Sequence, residues 1–165
     1  MKKIALVIFA LLITVSVFAK HHKRKKKQVK KAEITSVSLH RTACYGRCPD
    51  YTIDLNIDGT AIFTAIRFNP DTGIFTKNIG AQKAVEIINQ FKTYRVDTCK
   101  NLYQNRRPDI PGLVLTIKYA DSAKTIRNAH FGPYFLKQLA TSIDEVAKKA
   151  EGDNSWKKTG MPKID

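Results

Sequence analysis

Acidic residues are absent from the first 32 positions of this chain, and cysteine, tryptophan and methionine are scarce throughout its 165 residues. Three cysteines are too few to scaffold a chain of this length, so its stability must come from a hydrophobic core. A hydrophobic content of 43% supplies one and excludes wholesale disorder. The longest uncharged run, Ile4 to Ala19, has sixteen residues, short of the roughly 20 that a membrane-spanning helix needs. Gly-rich phosphate loops, Ser-centred nucleophile elbows, His-Glu-x-x-His and carboxylate pairs of readable geometry are all missing. Nucleotide hydrolysis, serine hydrolysis and zinc proteolysis therefore have no visible carrier, and no cofactor is implied.

What charge there is lies in one place. The formal net charge is +15, but ten of the 29 basic residues and none of the 14 acids lie in residues 1–31, which leaves 19 basic against 14 acidic residues, or +5, for the rest. The extreme charge belongs to a tail, so no specific nucleic-acid binding is expected of the fold. Met1-Lys2-Lys3, the apolar run and Val17-Phe18-Ala19, with small residues at the −3 and −1 positions of a cleavage site, read as a signal peptide over residues 1–19. Export to the periplasm or the medium is the expectation. An uncleaved anchor is the rival, since positive charge just after an apolar segment tends to stay in the cytoplasm. No cysteine near Ala19 offers a lipid acceptor. Residues 20–32 are polybasic, repel themselves and read as disordered. They suit anionic lipid or an anionic polymer, or serve only as a solvated spacer. Cleavage after Ala19 would expose Lys20-His21-His22, whose amine and third-position imidazole could wrap Cu(II) or Ni(II) in a square of nitrogens. The plainer account of His21 and His22 is two incidental histidines.

From Glu33 onward the pattern is that of one domain, residues 33–150, with a C-terminal tail at 151–165. Ile34, Val37 and Leu39 alternate with one slip of phase, predicting a bulged strand. Tyr51, Ile53, Leu55 and Ile57 alternate cleanly, and Asp58-Gly59 is a hairpin signal leading to a partner strand over residues 60–68. A turn at Asn69–Gly73 and a short strand at residues 74–79 complete a meander. Gly80 is placed to cap a helix over residues 81–93, with Ala84, Val85, Ile88 and Phe91 on one face. An irregular stretch, Val96 to Gly112, precedes strands over residues 113–119 and 123–129. Gly132 and Pro133 fit the start of a second helix, with Leu136, Leu139, Ala140, Ile143 and Val146 as its buried stripe. The order β-β-β-β-α-β-β-α, joined by hairpins, predicts an α+β fold: a mostly antiparallel sheet with both helices on one face.

Cys44-Tyr45-Gly46-Arg47-Cys48-Pro49-Asp50-Tyr51 stands out in this frame. Gly46 can supply a positive φ, and Pro49 biases Cys48 towards extended geometry. The octet reads as a tight turn feeding a strand. A Cys44–Cys48 disulfide would close a ring of five residues and contribute about 2 kcal/mol on the chain-entropy model. Two other chemistries stay open. A thiol-redox site would need a depressed thiol pKa, for which Arg47 is a cation at hand. A zinc site would need Cys99, His40 and His130 to converge on the pair. His40 and His130 follow strand patterns and are expected to be satisfied structural residues. Arg106 and Arg107, with Asp109, could take an acidic group bidentately or form a solvated loop with an internal ion pair.

The octet, followed by Asp58-Gly59, Asp109-Ile110-Pro111 and the Pro133-led helix, resembles a family of exported bacterial domains called domain of unknown function 6438. The resemblance spans about residues 34 to 156. It implies an envelope-associated or secreted α+β domain and no particular activity. Many relatives carry a lipoprotein signal, which this leader lacks. The expected function is thus a non-enzymatic binding or structural module of the envelope. A protein or anionic polymer would be its partner, with Tyr45, Arg47, Arg106, Arg107 and Asp109 as candidate contacts. The alternative is a thiol or metal enzyme centred on Cys44 and Cys48.

Overall fold

The computed structural model describes residues 33–104, 109–148 and 155–162, all within one compact unit running from Ala32. Seven strands form one antiparallel sheet: β1 (Ile34–Arg41), β2 (Asp50–Asn56), β3 (Thr60–Arg67), β4 (Gly73–Asn78), β5 (Leu113–Tyr119), β6 (Ala123–Ile126) and β7 (Lys157–Gly160). Their order across the sheet is β6-β5-β1-β2-β3-β4-β7, which puts the first strand in the interior, next to the central β2. Helices α1 (Ala81–Thr93) and α2 (Tyr134–Ala147) pack on one face. The fold is α+β, with the strand-and-helix order expected up to α2.

Alternation explains which face is covered. Val37 and Leu39 of β1, Ile53 and Leu55 of β2, and Leu113, Leu115 and Ile117 of β5 are all buried and all point to the helices. They meet Ile88 and Phe91 of α1 and Leu136, Leu139, Ala140 and Ile143 of α2 in one continuous core. The phase slip in β1 is a real irregularity: its register against β5 shifts between Ile34 and Ser36. On β3 the buried face carries Ala61 and Ala65, while the larger Ile62 and Ile66 sit half-buried on the other side. Apart from these, that face is largely polar, with Ser38, His40, Thr52, Asp54, Thr64 and Thr116 all partly exposed.

Four elements differ from expectation. Residues 157–160, assigned to the tail, form β7 against β4. Trp156, 8% exposed, anchors them edge-on against Phe63 at 6.2 Å; no local alternation announces such a strand, because a distant aromatic contact holds it. Strand β6 stops at Ile126, since Asn128 turns into the left-handed region (φ 53°) and starts a 3-10 turn at Ala129–Phe131. Helix α2 starts one residue late, with Pro133 as its cap in extended geometry. In α1 the fourth buried position is Ile87, with Val85 only half-buried.

Candidate functional site

Antiparallel pairing gathers several connections at one end of the sheet. β1 ends there, the cysteine loop turns there, and β2 begins. Arg67, at the end of β3, lies opposite Asp50, and Leu113, at the start of β5, lies opposite Arg41. Cys44 and Cys48 are disulfide-bonded, their Cα atoms 5.5 Å apart. The base of the loop is tied to the strand entry of β5: Thr42 N–H donates to the Gly112 carbonyl at 3.2 Å, and Gly112 N–H donates to Thr42 Oγ1 at 2.9 Å. The octet and Gly112, the last residue of the irregular stretch from Val96, therefore share this end.

Gly46 does not take a positive φ. Its N–H donates to Cys44 Sγ at 3.3 Å, and an added Cβ would meet that sulfur at an ordinary 3.7 Å. The disulfide, rather than a left-handed glycine, closes the turn. Tyr45 at the tip is 92% exposed, and Arg47 is exposed beside it.

Two carboxylates brace the loop from opposite faces. On the open face, Asp50 accepts from His40 Nε2 at 3.0 Å and from the Arg67 guanidinium at 3.4 Å, while its own carbonyl accepts from Asn69 Nδ2 at 2.8 Å. Asp50 is only 8% exposed, so these partners satisfy a carboxylate that burial would otherwise penalise. On the helix face, Asp144 of α2 accepts from Arg41 at 2.6 Å and from the Tyr51 hydroxyl at 2.9 Å. Burial, reinforced by the Asp144 charge, pushes the Tyr51 phenol up to about 12. His40 and Arg41 are neighbours on β1, and Asp50 and Tyr51 are neighbours on β2, so strand alternation sends one pair to each face. Local sequence offers no sign of the Asp144 link, since its partners lie 103 and 93 residues away.

His40 is satisfied as expected, and His130 is not. Both ring nitrogens of His130 are buried with no hydrogen-bond partner among the described residues. Burial lowers its pKa, helped by the charges of Lys137 and Arg41. Cys99 is a half-buried free thiol. Asp109 is exposed; Arg106, Arg107, His21 and His22 lie outside the described residues. Among the described residues no three His, Cys, Asp or Glu side chains converge as a metal site, and no helix is long and apolar enough to cross a membrane. Cys99, His40 and His130 are thus not gathered around the Cys44–Cys48 pair.

With this geometry in hand, the comparisons identify the family. Residues 35–147 match the model of the domain of unknown function DUF6438, and the chain belongs to that family. It matches no curated protein and no solved structure.

Proposed function

We propose that this family member is an exported, non-enzymatic binding module of the cell envelope. It engages a protein or an anionic polymer with its disulfide-pinned loop. The observation that carries this reading is Tyr45: a large aromatic side chain 92% exposed at the tip of a ring with both ends tied to the sheet. Tyrosine and arginine dominate binding hot spots, and a loop already held in shape loses little entropy on docking. Arg47 has no ion-pair partner among the described residues, so its charge is free to select an acidic partner. The frame below is rigid for a physical reason, since the carboxylates of Asp50 and Asp144 fix the strands on both sides of the loop. The polybasic residues 20–31 add salt-sensitive adhesion to anionic lipid headgroups.

The test is a crosslinked pull-down from native envelope with the wild-type protein, with Tyr45→Ala/Arg47→Ala, and with residues 20–31 deleted. The double variant should lose the captured partner and the deletion should keep it. Equal capture by all three would move the binding function off the loop. Intact-mass measurement on periplasmic material tests export, and the mature chain should begin at Lys20.

A second reading, thiol-redox chemistry at the same loop, draws on the Gly46 N–H aimed at Cys44 Sγ, a donor that would stabilise a thiolate. Thiol counting without reductant separates the two. A structural bridge leaves only Cys99 open to alkylation, whereas a redox pair held reduced shows three thiols.

A further inference from the structure

We propose that the cleft between residues 100–104 and the Ala129–Phe131 turn, whose described lining includes no residue of the cysteine loop, docks an extended acidic peptide segment. The cleft holds about 740 Å³ and is lined by Lys100, Leu102, Tyr103, Gln104 and Phe131. That volume falls in the range of roughly 300–1,000 Å³ typical of ligand clefts.

The cleft is built rather than left over. Residues Asn101–Tyr103 lie alongside the end of β6 in parallel: Arg127 N–H donates to the Asn101 carbonyl at 2.8 Å, and Tyr103 N–H donates to the Arg127 carbonyl at 3.1 Å. Asn128, in the left-handed region, donates its side-chain amide to the Tyr103 carbonyl at 3.0 Å. A Cβ on Gly132 would come within 2.8 Å of the Tyr103 ring and of Leu136, so glycine there is what lets Tyr103 settle. Backbone strain at a non-glycine residue is retained where the surrounding structure holds it.

This parallel pairing consumes the Asn101 carbonyl and the Tyr103 N–H. The N–H and carbonyl of Leu102 between them point the other way, and neither has a partner among the described residues. Leu102 itself is 58% exposed. An unpaired donor and acceptor on one residue of an extended segment match the main chain of an added strand.

Charge selects the sign of that strand. Lys100 lines the cleft, and Lys124, Arg127 and Lys137 lie on the elements beside it; of the acids next in sequence to those elements, Asp97 pairs with Arg95, Asp144 pairs with Arg41 and Asp121 lies in the β5–β6 turn. Among the described residues Lys124 Nζ meets a neutral partner, the Asn101 side-chain carbonyl at 2.9 Å, and no carboxylate. Tyr103 and Phe131 offer aromatic walls to an apolar side chain, and the cations reward acidic neighbours and repel basic ones. A small anion would leave the Leu102 main chain unused; an acidic peptide uses all three features.

The experiment pans a random heptapeptide display library on the full chain at about 0.15 M salt, where exposed charges are screened beyond about 8 Å. Enriched peptides should combine Asp or Glu with an aromatic or large aliphatic residue. The best, synthesised and labelled, is titrated by fluorescence anisotropy against wild type, Lys100→Glu and Leu102→Pro. The proline removes the outward N–H and leaves both bonds to Arg127 in place. Each variant should weaken binding by about ten-fold or more, roughly 1.4 kcal/mol, with circular dichroism and the urea midpoint confirming the fold. Should Leu102→Pro not fold, the same peptide N-methylated at alternate amides probes the same bonds and should lose as much. No enrichment, enrichment without acids, or affinity unchanged in the variants overturns the assignment; unchanged affinity is also what capture by the basic tail would give. Equal affinity for N-acetylphenylalanine would make the occupant a small anion and overturn it too. These outcomes leave the Tyr45 reading untouched, because no variant alters the loop.

Discussion

Strand β2 is bounded by two turns built on opposite principles. The turn before it is closed by a covalent bond, has a glycine that needs no unusual backbone, and points Tyr45 outward. The turn after it has no covalent link and is closed by backbone geometry and hydrogen bonds. Gly59 sits at φ 93° and its N–H donates to the Asn56 carbonyl at 3.0 Å, while Asp58 Oδ1 accepts from Thr60 N–H at 2.8 Å. Its tip is not free: a Cβ on Gly59 would come within 2.5 Å of the Gly80 backbone, where α1 begins. One turn docks on the molecule's own helix and the other is held clear of it. A short ring that adds little to overall stability makes sense at the turn held clear, where what is gained is a fixed shape for display.

Five measurements can break or sharpen this contrast. The reference for scale is the core: Leu139→Ala, fully buried on α2, should cost about 2–5 kcal/mol in a urea titration. Gly59→Ala should come next, at about 2–5 kcal/mol, from left-handed strain of about 1–2 plus overpacking of about 1–3 against the helix start. Replacing Cys44 and Cys48 together by serine should cost about 2 kcal/mol at most and leave a folded domain. If the double-serine protein is unfolded in water while Leu139→Ala is barely affected, the core does not lie under the helices and the loop is structural after all.

The fourth measurement is alkaline titration. Tyr51 has its pKa raised in the fold, so its stabilising effect is complete below about pH 10, the unfolded value, and is lost as pH climbs towards about 12. Wild type should therefore lose more stability than Tyr51→Phe across that window, and parallel curves would mean the Asp144 bond contributes nothing. The smallest effect belongs to Gly46→Ala, expected within about 0.5 kcal/mol of wild type. A loss like that of Gly59→Ala would show that the cysteine turn also depends on glycine.

The same pair of turns shows how much was legible in the residues. Asp58-Gly59 marks its hairpin because a positive φ is a local demand, met by the residue itself. Gly80 ahead of the apolar stripe of α1 marks a helix start in the same way. The cysteine octet announced both the pinned turn and its Cys44–Cys48 closure, but not the backbone of Gly46, which looks the same in sequence whether or not its φ is positive. The braces around it were illegible. Asp50 and Asp144 read as ordinary charged positions, and only the register of β1 on β2 and the placing of α2 bring Arg41, Tyr51 and Arg67 to them. β7 was hidden for a related reason: Lys157 and Lys158 show no buried face, and the strand depends on Trp156 reaching the Phe63 ring.

The interior place of β1 has a mechanical consequence. It is flanked by β2 and β5 along nearly its whole length, and its eight residues separate its first residue from the cysteine loop by roughly 25 Å at the rise of an extended strand. A tension applied between the residues ahead of Ile34 and an object held at the loop would run along that strand. The ladder bonds to both neighbours lie across such a pull, so they would be loaded in shear and together, instead of being peeled open one at a time as at a sheet edge.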